Sequence, residues 1–143
     1  MSQPAQFVLS EGTLNLPGAV QDQSITVLSL ADLRATLVAT RDWKITEDEV
    51  DSFLQQQLQK VKRDMKKFSA QSPEPTTLGP WPAQQVAMRF ENQGVAVEQK
   101  LLVAWAKDHL LALTFSAAGQ FTEQQTQAWQ AIRQEFAPCV AEA

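Results

Sequence analysis

The sequence predicts an α+β fold: an antiparallel β-sheet flanked by a long central helix and a C-terminal helix. Three observations carry this expectation. Thr46 to Phe68 has helical periodicity with no Gly or Pro; Gln84 to Ser116 reads as three strands joined by tight turns; Thr122 to Phe136 has a second helical pattern. Strands, helix, strands, helix is the order of a sheet with helices packed against it. A chain of 143 residues suits one domain, 1–143, with a core of its own.

Taken in order, Phe7 to Leu16 reads as one or two short strands, ended by the turn signal Pro17-Gly18. Ser24 to Leu30 is rich in β-branched residues and predicts a strand with Ile25 and Val27 on one face, Thr26 and Leu28 on the other. Ala31 to Arg34 connects it to the next strand, Ala35 to Trp43. The long helix follows. Thr46 and Glu49 are spaced as a capping box, acidic residues crowd the first turns and Lys60, Lys62, Arg63, Lys66 and Lys67 the last, as the helix dipole favours. Val50, Phe53, Leu54, Leu58, Val61, Met65 and Phe68 fall on one arc of the helix.

Ser69 to Pro82 contains four prolines and reads as a stiffened loop. Gln84 to Asn92 alternates Val86, Met88 and Phe90 with polar or small residues, and Asn92-Gln93-Gly94 signals a hairpin into the long strand Val95 to Lys107. Lys107-Asp108 is a second tight turn, and His109 to Ser116 the last strand. The closing helix has a capping box of its own, Thr122 with Gln125, and buries Ala128, Trp129, Ile132 and Phe136.

Composition narrows the function. The net charge of −4 argues against nucleic acid as a partner. The single cysteine, Cys139, allows no intrachain disulfide and reads as an incidental thiol. One histidine and no Cys/His cluster leave no expectation of a metal or other cofactor. The first residues lack the pattern of a secretory signal, and no run approaches the ~18 apolar residues of a membrane span. A soluble, cytoplasmic protein without direct membrane insertion is the expectation. No Gly-rich phosphate loop, nucleophile elbow or HExxH motif is present, so no enzymatic activity is expected. His109 reads as an exposed turn residue, and the four tryptophans as core or rim.

Two polar residues stand where the pattern calls for apolar ones. Gln57 falls inside the apolar arc of the long helix. Gln99 interrupts the face Val95, Val97, Leu101, Val103, Trp105, unless a bulge shifts the register there. An amide on such a face is bonded within its own core or offered to a partner, because leaving it buried and unpaired costs about 1–3 kcal/mol. Two of them suit a surface that receives a mostly apolar partner with small polar groups.

Leu16 to Val27, LPGAVQDQSITV, resembles the opening of the Eag chaperones of type VI secretion, within a DcrB-like family of Mog1/PsbP-like fold. The resemblance continues through Val38-Ala39-Thr40-Arg41-Asp42, Gln57-Leu58 and the Gln99-bearing strand to the closing helix with Trp129, nearly the whole chain. It implies a cytoplasmic, non-enzymatic homodimer that binds N-terminal transmembrane segments of a secreted effector, of PAAR or Rhs type, and shields them before export. It also implies the binding residues: Ile25, Val27 and Val38 on the first strands, Gln57 and Met65 on the long helix, Gln99 on the long strand. The family usually has an aliphatic residue where Met65 stands. A small regulatory or scaffold module that binds a folded partner through its sheet face is the alternative. Envelope members of the wider group would carry an export signal.

Overall fold

The computed structural model describes residues 5–138. Cys139 lies outside them. The element order is β1 (Ala5–Leu9), β2 (Gly12–Leu16), β3 (Thr26–Leu30), β4 (Ala35–Asp42), α1 (Val50–Asp64), β5 (Lys66–Ala70), β6 (Glu74–Leu78), β7 (Trp81–Asn92), β8 (Val95–Trp105), β9 (Leu110–Ala118) and α2 (Glu123–Gln134). β1 and β2 form a hairpin by themselves. The other strands make a seven-stranded sheet in the order β3-β4-β9-β8-β7-β5, with β6 also paired to β7, and every pairing is antiparallel. The expected α+β architecture, a large antiparallel sheet with one central and one C-terminal helix, is what the chain forms.

The β7–β8 turn shows how local sequence sets this sheet. Gln93 and Gly94 both have positive φ, 52° and 79°, which gives a two-residue turn whose twist matches the strands it joins. The pairing then runs without a slip from Asn92↔Val95 to Ala83↔Ala104. Period-two alternation sends the odd residues of β8 to one face and the even ones to the other.

Each face receives one helix. On one face Leu54 and Leu58 of α1 pack on Val86, Met88, Phe90, Leu101, Val103, Leu110 and Ala112. On the other, Trp129 of α2 packs with Leu78, Leu102, Leu111, Leu113 and Phe115. Phe115, Leu54, Leu102 and Leu110 are fully buried, and each such side chain is worth about 1.5–3 kcal/mol of transfer from water. The capping box of α2 is complete: Gln125 N donates to Thr122 Oγ1 (3.1 Å) and Thr122 N to Gln125 Oε1 (2.9 Å). Further ties dock α2. Gln125 Nε2 donates to the Leu33 carbonyl at 2.7 Å, Trp129 Nε1 to Gln85 Oε1 at 3.0 Å, and Arg133 Nη1 to Thr76 Oγ1 at 2.8 Å.

Three expectations change. The long helix begins where its capping box places it, with a 3₁₀ turn at Glu47–Glu49 and Thr46 N donating to Glu49 Oε1 at 2.8 Å, but ends at Asp64. Met65 is already extended, and Lys66–Ala70 pairs with β7 as β5, through a register shift accommodated by the positive φ of Lys67. The proline-rich stretch is not a plain loop, because Glu74–Leu78 forms β6. Pro75 is tolerated there because, among the described residues, β6 pairs on one side only. His109 is not an exposed turn residue: it is half-buried and stacks on Trp43 with ring centroids 3.9 Å apart.

Candidate functional site

The two helices do not cover equal areas. α1 lies over β5, β7 and β8, on the face that carries Gln99 and Leu101. The register extends this face across β9, β4 and β3 in transverse rows. One row is Leu101, Thr114, Val38, Val27; the next toward the β3–β4 turn is Met88, Gln99, Ser116, Thr36, Ser29. On the other side of the Val27 row come Val103, Ala112 and Thr40, and Ile25, just before β3, continues the alternation of its strand. Burial falls along these rows away from α1. Leu101 is buried, Thr114 and Val38 are half-buried, and Val27 is 63% exposed, with Ile25 at 68%. The result is a floor beside the helix that opens toward solvent across β4 and β3; β9 adds the half-buried Thr114 and Ser116 to it, while its Leu110 and Ala112 belong to the core under α1.

Gln57 stands at the edge of this floor. On the opposite flank of α1, Asp51 accepts a hydrogen bond from Gln84 Nε2 of β7 at 2.8 Å. Helical geometry puts Phe53 and Gln57 about 120–160° round the axis from Asp51, on the flank toward β9. Both are half-buried. Gln99 lies at the base. β8 carries no bulge, so its amide is set into the apolar face as the plain alternation implies. Ser116 Oγ donates to Gln99 Oε1 at 3.1 Å, and Gln99 Nε2 points to Met88 Sδ at 3.5 Å. Thioether sulfur is a weak acceptor, so the amide N–H₂ keeps donor capacity.

Five of the six expected residues, Ile25, Val27, Val38, Gln57 and Gln99, thus sit on or beside one floor. Met65 does not join them. It caps the C-terminal end of α1, outside the helix, and packs in the cluster beneath it next to β5. Thr36, Thr114 and Ser116 were not singled out by the sequence, although they share the face. Their signal is the recurrence of Thr and Ser at alternate positions of β4 and β9, among aliphatic residues.

A polar bracket holds the approach to β3. Trp43 Nε1 donates to the Asp22 carbonyl at 2.9 Å, and Arg41 pairs with Asp22 at 3.6 Å. Ser24 N donates to Asp22 Oδ1 at 2.9 Å. Burial alone would raise the Asp22 pKa, but the Ser24 hydrogen bonds and the Arg41 charge outweigh it and lower the value. His109 closes the bracket from the β8–β9 turn, stacked on Trp43 and bonded to Asp108 at 2.8 Å. No group of acidic, histidine or cysteine side chains among the described residues is arranged to hold a metal ion. No helix among them is long and apolar enough to cross a membrane.

The DcrB family model matches residues 11–135. The chain belongs to the DcrB family. Among solved structures, this DcrB-family chain is similar to PA94 of Pseudomonas aeruginosa, a candidate regulator of unknown function. The TM-score is 0.75 at 19% identity, over 96% of this chain and 99% of that one. It is also similar to LpqN of Mycobacterium tuberculosis, a protein involved in cell envelope biogenesis. There the TM-score is 0.50 at 17% identity, over 94% of this chain and 83% of the other. Both likenesses show the fold. No curated protein matches the chain.

Proposed function

We propose that this DcrB-family protein is a non-enzymatic chaperone or adaptor. It binds N-terminal transmembrane helices of a type VI secretion effector, of PAAR or Rhs type, and shields them from water before export. The observation that carries the reading is the open floor beside α1, where Ile25, Val27 and Val38 lie near two amides, Gln57 and Gln99. An apolar helix in water exposes a surface that aggregates, and a floor of aliphatic and hydroxyl side chains beside an existing helix offers it burial. Transmembrane helices pair through small residues and interhelical hydrogen bonds, which amides and hydroxyls can supply without charge. The order of motifs shared with Eag chaperones supports the same reading, with a cytoplasmic homodimer as the working form. Met65 acts in this reading by wedging the end of α1 rather than by lining the floor.

A scaffold module that binds a folded partner is the second reading. The outer edge of β3, which among the described residues pairs with β4 alone, favours it, because a bare edge can accept a partner strand.

The test is co-purification of the effector from the native cell with tagged wild-type, Ile25→Lys and Gln57→Glu proteins. Ile25 is exposed and Gln57 half-buried on α1, and thermal melts of both variants separate loss of prey from loss of fold. Wild type should bring down a prey with apolar N-terminal segments and the variants should lose it. Retention by both variants would refute the reading, and a prey that is soluble throughout would favour the scaffold.

A further inference from the structure

A cavity of about 410 Å³ opens on the flank of α1 away from the floor, between the first turn of the helix and β6, β7 and β8. That volume falls within the range of small-ligand sites, about 300–1,000 Å³. Pro75, Pro82, Val103 and the half-buried Trp105 give it an apolar lining from three strands. Glu47, Asp48 and Asp51 line it from the helix side.

The acidic residues of this turn are not equivalent. Thr46 N donates to Glu49 Oε1 at 2.8 Å and Thr46 Oγ1 to Asp48, so those two carboxylates serve the cap. Asp51 accepts from Gln84 Nε2 at 2.8 Å, which fixes it over β7 without neutralising it, because an amide carries no charge. None of Glu47, Asp48 and Asp51 forms an ion pair among the described residues. The dipole of α1 accounts for carboxylates at this end of the helix. It does not account for the cavity they share with an indole and two prolines.

The lining selects its occupant. The carboxylates call for a cation, and they are not grouped to hold a metal ion. Trp105 and the prolines call for a flat group with apolar faces. A guanidinium meets both demands: it is weakly hydrated, stacks on aromatic rings and pairs with carboxylates through parallel N–H donors. The ammonium of lysine is a strongly hydrated point charge and gains less from such a wall.

We propose that this cavity binds an arginine side chain presented by a basic segment of a partner protein. The guanidinium stacks on Trp105 and pairs with Glu47 and Asp51, while its aliphatic stem lies along Pro75 and Pro82. Gln84 Oε1, whose amide N–H₂ is turned to Asp51, offers a further acceptor in the same cavity. The net charge of −4 adds long-range attraction for a basic segment. The site lies across α1 from the floor, so its occupancy does not depend on what the floor holds.

Short fluorescent peptides of Gly, Ala and Pro test this, one series carrying two arginines, one two lysines and one two citrullines, titrated against the full chain. The arginine peptide should bind about tenfold more tightly than the citrulline one, and added salt should weaken it. The indole N–H resonance of Trp105, assigned with Trp105→Phe, should shift on titration, while that of Trp129, buried on the other face of the sheet, should stay. Glu47→Gln with Asp51→Asn should lose about tenfold in affinity; the asparagine can still accept from Gln84, and a thermal melt checks the fold. Glu11→Gln with Asp32→Asn removes the same charge at exposed positions elsewhere and should leave binding unchanged. Failure of the arginine peptide to bind, citrulline or lysine binding equal to arginine, or an unmoved Trp105 resonance would overturn the proposal. So would equal losses in the two double variants, which would trace the attraction to net charge alone.

Discussion

Replacing Gln125 with alanine should loosen the floor from the opposite side of the sheet. Gln125 is 6% exposed, although it is polar. Its amide spans two elements: Nε2 donates to the Leu33 carbonyl at 2.7 Å and Oε1 accepts from Thr122 N at 2.9 Å. Leu33 lies in the 3₁₀ turn between β3 and β4, Ala31–Leu33, which carries the outer strands of the floor. Truncation removes both bonds. Thr122 is exposed, so water can replace its partner at little cost, but the half-buried Leu33 carbonyl loses a donor that water reaches less well. At about 1–3 kcal/mol for an unsatisfied buried group and ~1 kcal/mol for a lost cap, the expected loss is roughly 2–4 kcal/mol. That corresponds to about 8–15 °C in melting temperature for a domain of this size. Thr122→Ala serves as the comparison, because it removes the cap and leaves the Leu33 tie, at a cost of about 1 kcal/mol. Thermal melts measure both, and amide hydrogen exchange should show protection falling in Thr26–Leu30 for Gln125→Ala only. Equal losses for the two variants, with unchanged exchange in β3, would refute the idea that α2 holds the β3–β4 turn.

Two further predictions test the docking of α2 and the acid limb of stability. Gly79 and Gly94 both have positive φ, 55° and 79°, but a Cβ at Gly79 would run into the Phe136 carbonyl oxygen, whereas one at Gly94 meets nothing. Gly94→Ala should cost about 1 kcal/mol from backbone conformation alone, and Gly79→Ala at least about 2 kcal/mol more, read by urea unfolding; equal costs would mean that the C-terminal end of α2 is not seated on this turn. Glu98 accepts from Phe121 N at 2.6 Å and from Arg89 at 2.9 Å. Burial would raise its pKa, but these two bonds outweigh burial and hold it below its ordinary value of 4.5. A depressed carboxylate stabilises fully above its unfolded pKa and loses that contribution as pH falls through the folded one. Stability should therefore drop below about pH 4.5, and Glu98→Gln should flatten that part of the profile; an unchanged acid limb would refute the assignment.

Sequence patterns revealed the elements whose local and global signals agree. The β7–β8 hairpin, β9 and α2 follow from alternation, a two-residue turn and a capping box. β5 was hidden because Met65 and Phe68 continue the helical apolar arc; the helix ends where the chain turns extended to pair with β7, and no local residue announces that pairing. β6 was hidden by Pro75, whose meaning depends on whether the strand lies at an edge. The amides stood out because each breaks a period, but Thr36, Thr114 and Ser116 break none. Threonine and serine fit a half-exposed strand equally well facing water or a partner. Only the register across β8, β9, β4 and β3 shows that Thr36 and Ser116 share a row with Gln99 and that Thr114 lies in the next one.

The β3–β4 connection sets the reading frame of the floor. Its four residues, Ala31 to Arg34, close with Arg34 in the left-handed conformation and fix Leu30 opposite Ala35. Because side chains alternate, adding or removing one residue here would present Thr26, Leu28 and Leu30 where Val27 and Ser29 now stand, at the cost of the core contact that Leu30 makes on the other face. Length in this turn, rather than the identity of its residues, is the quantity that separates two different surfaces on the same fold. Relatives that share the architecture can therefore differ in partner through a single-residue change of spacing that leaves every strand in place.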